Sequence, residues 1–219
     1  MEKVVVVIPA LNEATVIRQT VEGVRALGYD VLVVDDGSTD GTADEAFAGG
    51  AGVFSLVRNW GVGGALQHGV PFTAEKIGAD IIVTFDADGQ HSPADIPKLV
   101  AALDGCDLVN GSRFLGSVTG MPWHRWLVLK LVQFAMFVLT RENITDACCG
   151  LKAFRPAAFK IRSRRMAWAC ELIWRVSRWG HIVEVPVAVR YTPYSLAKGQ
   201  RSRDAAKVGL ELAHSLKGD

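Results

Sequence analysis

The sequence predicts an α/β fold: one domain with a largely parallel central sheet and helices on both faces. Short runs rich in β-branched residues alternate with stretches whose apolar side chains recur at helical spacing, the pattern of successive strand–helix units. The 219 residues are enough to bury one sizeable core, and no internal repeat or low-complexity linker divides them.

Val4 to Ile8 is almost wholly β-branched, as expected of a strand covered on both faces, and a loop with Pro9 and Asn12 follows it. Ala14, Ile17, Val21, Val24 and Leu27 mark the first helix. Val31 to Val34 is a second strand, ended by DDGSTDGT, where Gly37 and Gly41 suit tight turns and Asp40 or Thr42 caps a short helix. Val53 to Val57 is a third strand, and a turn through Gly61, Gly63 and Gly64 leads into a helix ending near Lys76. Asp80 to Phe85 is a fourth. Ser92 and Pro93 then stand at cap and first-turn positions of a helix toward Leu103, and Asp107 to Asn110 reads as a short fifth strand. Beyond this the rhythm changes. Pro122 opens an apolar helical stretch, residues 151 to 165 read as basic and partly loop, and Ala169 to Trp179 as a helix. Ile182 to Tyr191 reads as a strand interrupted at Pro186, and Ala205, Val208, Leu212 and Leu216 mark a last amphipathic helix.

The formal net charge of +1 hides a polarity, since residues 1 to 110 sum to −10 and residues 111 to 219 to +11. The second half can therefore draw in anions. No nucleic-acid reading module or aromatic–basic pattern accompanies the charge, so nucleic acid is not an expected partner. Four cysteines without paired zinc spacing point to a reduced, cytoplasmic setting. The apolar run from Leu127 to Leu139, thirteen residues broken by Lys130 and Gln133, is too short to span a bilayer.

In such a sheet ligands collect beyond the carboxyl ends of the strands, where Asp35, Asp36, Asp86 and Asp88 all fall. Asp86 and Asp88 repel one another unless a cation or shared proton intervenes. Mg²⁺ or Mn²⁺ suits such oxygen ligands and neutralises a diphosphate leaving group, with Gln90 adding a carbonyl or holding a water. Alternatively the pair is a solvated strand end and Asp35–Asp36 a turn around Gly37. GVGG at 61 to 64 lacks the full dinucleotide fingerprint and the Lys-Ser/Thr of a P-loop.

Taken together, VVVIPALNEA, VLVVDDGSTDGT, RNWGVGGALQHG, FDADGQHSPADI, NGSRF, ITDACCGLKAF and WGHIVEVPV resemble the family 2 nucleotide-sugar glycosyltransferases over residues 3 to 192. The resemblance is greatest to the branch of dolichyl-phosphate mannose synthases and glucosyltransferases. It implies a GT-A, Rossmann-like domain, with residues 1–110 binding nucleotide sugar and metal and 111–219 binding the acceptor. By the same resemblance Pro9, Leu11 and Glu13 line the nucleotide loop, Asp35 and Asp36 lie near the base, and Asp86, Asp88 and Gln90 are the metal-binding DxDxQ. Arg113 lies near a phosphate, and Asp146 near the transferred sugar, as the base where the acceptor is a hydroxyl. Glu171 fixes an acceptor-site residue, or is an ordinary helix carboxylate. Lys198, Arg201 and Arg203 resemble a basic loop closing over donor and acceptor phosphates.

The implied reaction is metal-dependent transfer, with inversion, of mannose from GDP-mannose or glucose from UDP-glucose to a polyprenyl (dolichyl-type) phosphate. Such an acceptor implies a peripheral position on the cytoplasmic membrane face. Trp123, Trp126, Leu127, Leu131, Phe134 and Phe137 would form the interfacial helix, unless they are a core or dimer contact, and a membrane-protein partner or homo-oligomer is the other association expected. Two alternatives stay open: transfer to a hydroxyl of a soluble glycan or polysaccharide with Asp146 as base, or a non-catalytic nucleotide-sugar-binding module.

Overall fold

The computed structural model describes residues 2–198 and 205–216. Seven strands form one sheet: β1 (Val4–Ala10), β2 (Asp30–Asp35), β3 (Gly52–Ser55), β4 (Ile81–Thr84), β5 (Leu108–Thr119), β6 (Lys152–Phe154) and β7 (Ile182–Arg190). Their order is β3-β2-β1-β4-β6-β5-β7. The pairs β3/β2, β2/β1, β1/β4 and β5/β7 are parallel, while β6 runs antiparallel to both β4 and β5. The helices are α1 (Ile17–Arg25), α2 (Thr42–Ala48), α3 (Val62–Phe72), α4 (Ile96–Ala102), α5 (Trp123–Thr140), α6 (Trp168–Val176), α7 (Pro193–Lys198) and α8 (Ala205–Leu216).

Two cores follow from the alternation of side chains along buried strands. Val6 and Ile8 of β1, Val31 and Val33 of β2, and Ile81 and Val83 of β4 face Ile17, Val21, Val24, Ile96 and Leu99 on one side. Val5, Val7, Leu32, Val34 and Ile82 face Leu66, Val70, Leu172 and Ile173 on the other. At Gly69 an added Cβ would lie 2.3 Å from Val34 Cγ2, so this glycine lets α3 lie close on β2.

The structure departs from the sequence reading at two strands. β5 is twelve residues long, not four, because after a bulge between Ser112 and Ser117 it pairs along β7. β6 replaces part of the expected basic loop: Lys152 points inward and is fully buried, its Nζ bonded to Asn110 Oδ1. The expected apolar helix is present as α5. Only Met136 is buried, while Trp123, Leu131 and Phe134 are mostly exposed.

The strand order reverses on either side of β1, with β2 on one flank and β4 on the other. That switch point opens a crevice at the carboxyl ends of β1 and β4, where the aspartates and the loop after Pro9 meet.

Candidate active site

The loop after β1 is built to hold a fixed shape. Asn12 adopts φ 54°, its N–H donates to Ser38 Oγ at 2.9 Å, and its Oδ1 accepts from Thr39 N–H at 2.8 Å. Pro9 lies within β1 beside Val34, and Leu11 follows at the crevice. The buried Glu13 donates its N–H to Thr42 Oγ1 and accepts from Tyr194 Oη at 2.6 Å. Lys198 Nζ donates to the carbonyls of Leu11 and Asn12, so α7 lies across the loop. Burial and the hydrogen bond to Glu13 push the Tyr194 phenol well above its ordinary pKa. Asn12 and Tyr194 were not marked by any sequence pattern as site residues.

Asp35 and Asp36 part company. Asp35 Oδ1 accepts from Ser38 N–H at 3.0 Å in the turn. Both oxygens of Asp36 are taken by the Trp60 and Gly61 N–H groups, at 2.7 and 2.8 Å, so Asp36 anchors the glycine turn. Burial raises its carboxyl pKa against those two hydrogen bonds. The turn in turn packs against residues 163–165: an added Cβ at Gly63 would lie 2.2 Å from the Ser163 carbonyl oxygen. Glu171, expected to fix an acceptor-site residue or to be an ordinary helix carboxylate, is completely buried. It accepts from the Arg162 and Ser163 N–H groups and from Arg175 Nε at 2.8 Å, and so fixes the segment that backs the turn.

Just past β4, Asp86 Oδ2 lies 3.2 Å from His91 Nε2. Burial opposes ionisation of Asp86, but the His91 contact, with Arg113 and Lys152 beyond it, holds the carboxyl below its usual range. Burial likewise opposes the His91 charge, and Cys149 and Asp86 outweigh it and raise the imidazole pKa. Asp88 is pushed up to about 6, by burial first and then by the Asp86 charge. Gln90 steadies it: its N–H donates to Asp88 Oδ1 at 3.0 Å and its side-chain amide to Oδ2. Gly150 makes room for Asp86, since a Cβ there would lie 2.3 Å from Asp86 Oδ1.

This donor set fits a hard divalent ion. Two neighbouring carboxylates, one kept from ionising by the other, are relieved by a shared cation. Among the described residues no group of three or more His, Cys, Asp or Glu side chains is arranged around a metal position. Mg²⁺ and Mn²⁺ are commonly held by one or two carboxylates while substrate phosphates and water complete the shell.

Across the crevice, Arg113 Nε donates to Asp146 Oδ2 at 2.5 Å and its backbone N–H to the same oxygen at 3.1 Å. Arg113 also donates to Tyr191 Oη. Asp146 Oδ1 is buried and has no hydrogen-bond partner. Beneath this pair lie Asn110, Lys152 and Glu184, brought together by strands and absent from any recognisable motif. Arg201 and Arg203 lie outside the described residues.

A switch-point crevice with an acid pair at one strand end and an arginine–carboxylate pair opposite defines a nucleotide-sugar-dependent glycosyltransferase of GT-A architecture. The chain belongs to glycosyl transferase family 2, whose model matches residues 5–162. It is 34% identical to the UDP-N-acetylglucosamine–dolichyl-phosphate N-acetylglucosaminyltransferase of Methanococcus voltae, over 94% of this chain and 93% of that one. It is 33% identical to the undecaprenyl-phosphate mannosyltransferase of Micrococcus luteus, over 84% of this chain and 82% of that one. The crystal structure of glucosyl-3-phosphoglycerate synthase from Mycobacterium tuberculosis superposes with a TM-score of 0.76 at 25% identity, covering 99% of this chain and 82% of that one. That enzyme has also been crystallised with phosphoglyceric acid and with Mn²⁺ and UDP-glucose.

Sequence relatives and structural neighbours thus point to different branches. The neighbours correct the expectation of a polyprenyl-phosphate (dolichyl-type) acceptor and of a membrane surface as partner. A basic site reads a phosphate without reading what the phosphate is attached to, and the superposing enzyme binds a small phosphorylated acid. No helix of the described residues is long and apolar enough to cross a membrane.

Proposed function

We propose that the protein transfers a hexose from a nucleoside-diphosphate sugar to a hydroxyl of a small or polymeric water-soluble acceptor, with inversion at the anomeric carbon. The observation that carries this reading is Asp146: Arg113 holds one carboxylate oxygen and the other is buried without a partner. Oδ1 accepts the acceptor hydroxyl's proton as its oxygen attacks the anomeric carbon and the bond to the diphosphate breaks. Arg113 fixes the base in place and puts positive charge beside the reacting centre, worth most where water is excluded. Asp86 and Asp88 would hold Mg²⁺ or Mn²⁺, which supplies charge neutralisation for the departing nucleoside diphosphate. Gln90 keeps Asp88 in position, and the loop of Leu11 to Glu13, with Asp35, receives the nucleotide. Glucosyl-3-phosphoglycerate synthase, crystallised with Mn²⁺ and UDP-glucose, supports the donor and metal parts of the proposal.

The test is incubation of purified protein and Mn²⁺ with UDP-glucose or GDP-mannose and a panel of phosphoglycerate, glycerol 3-phosphate, glycerol, oligosaccharides and polyprenyl phosphate. A glycoside of a hydroxyl acceptor, identified by mass spectrometry and formed with loss of activity in Asp146→Asn, is the expected result. Product confined to the lipid extract, or donor binding with no transfer to anything, overturns it.

A further inference from the structure

The side chain of Asp146 can act only if its backbone is held still, and the grip on that backbone comes from two residues that face one another across paired strands. Asn110 of β5 and Glu184 of β7 are register partners. Glu184 Oε1 accepts from the Asp146 N–H at 3.2 Å and from Asn110 Nδ2 at 2.8 Å. Its Oε2 accepts from the Thr145 N–H and the Thr145 Oγ1, both at 2.7 Å. Asn110 Nδ2 also donates to the Asp146 carbonyl at 3.0 Å, so both backbone polar groups of Asp146 are fixed from below. A carboxylate has about four acceptor sites, and all of those on Glu184 are used by the fold. It has none left for a ligand. Lys152 reaches Asn110 Oδ1 from β6, and both Asn110 and Lys152 are fully buried.

We infer that Glu184 is a positioning residue for sugar transfer: its carboxylate sets the Thr145–Asp146 segment so that Asp146 meets Arg113 with one oxygen and leaves the other free. This rests on the assignment of Asp146 as base. A carboxylate is required because every group facing it is a donor. Glutamine would turn an NH₂ toward the Thr145 donors or toward Asp146 and Asn110, and the segment would shift to escape. A shift of about 1 Å at a reacting group costs on the order of 100-fold in rate.

The experiment is a double-mutant cycle of Glu184→Gln and Asp146→Asn, read as kcat and donor KM, with Mn²⁺–UDP binding as the fold control. Glu184→Gln is expected to lower kcat about 10- to 100-fold with donor KM within about 3-fold, and to cost almost nothing further on the residual turnover of Asp146→Asn. If Glu184→Gln and Asp146→Asn multiply, Glu184 acts elsewhere and the inference fails. Wild-type kcat in Glu184→Gln also sinks it. If Asp146→Asn alone keeps full turnover, it is the proposed base that falls, whatever Glu184 does. Should Glu184→Gln fail to fold, Thr145→Val removes a single bond to the same carboxylate. It must then show a several-fold loss of kcat that disappears in the Asp146→Asn background; an unchanged kcat or a multiplying loss refutes the inference.

Discussion

Gly150→Ala tests whether the acid pair is positioned by the absence of a side chain on the neighbouring loop. An alanine Cβ would lie 2.3 Å from Asp86 Oδ1, 2.5 Å from Oδ2 and 2.7 Å from Cγ. Comfortable contact begins near 3.4 Å, so the carboxylate must retreat by about 1 Å. Asp86 is short and half-exposed, and it relieves the clash by rotating rather than by moving backbone. The cost to stability is therefore modest, about 1–3 kcal/mol from crowding and from the loosened contact with His91. The cost to function is larger, because the same rotation displaces a carboxylate proposed to hold the metal. Mn²⁺ affinity in the presence of UDP, measured by calorimetry, is expected to fall at least about 10-fold, and kcat about 100-fold. The folded state, followed by urea unfolding, should persist. Mn²⁺ affinity and kcat both within twofold of wild type would refute the claim that Gly150 shapes the site.

Other substitutions separate the roles of the neighbouring groups. Asp88 has its carboxyl raised to about 6 in the folded chain, so the stability it contributes is present below the unfolded value near 4 and lost as pH rises through about 6. Metal-free Asp88→Asn is therefore expected to melt above wild type at pH 7 but not at pH 4, while losing metal-dependent turnover; equal melting temperatures at both pH values would contradict this. Wild-type Mn²⁺ affinity should fall as pH drops below about 6, because protons then compete for Asp88, and titration calorimetry between pH 5 and 7 checks it. Glu171→Ala removes the buried carboxylate that accepts from Arg175 and from the Arg162 and Ser163 N–H groups, which predicts a loss of about 3–5 kcal/mol in urea unfolding; less than about 1 kcal/mol would show that the segment holds itself. Tyr194→Phe removes the bond to Glu13 and should raise donor KM about 2- to 10-fold with kcat unchanged, as steady-state kinetics will show.

The parts of the molecule legible in the sequence are those encoded locally. β1, β2 and β4 are apolar runs built mostly of β-branched residues, and the acids at the end of β2 and just past β4 lie at the carboxyl edge because chain direction puts them there. What was not legible depends on partners distant in the chain. Lys152 sits in a basic stretch, and its inward direction is decided by Asn110, 42 residues earlier. Glu184 looks like an alternating strand residue until its register with Asn110, 74 residues earlier, brings it under Asp146. Glu171 matches a family position, but its carboxylate is consumed by backbone eight and nine residues before it. Asp36 stands beside Asp35 in sequence yet points to the glycine turn, since successive residues at a strand end face opposite sides.

β6 has a consequence for how the chain comes off the ribosome. It fills the gap between β4 and β5, yet it is made more than forty residues after β5 begins. Until Phe154 emerges, the nascent sheet exposes an open edge at β4, and β5 has nothing to join it to the first four strands. The chain must therefore hold that seam unsealed through the synthesis of all of α5, which makes this interval the one where a chaperone binding strand edges would protect it best.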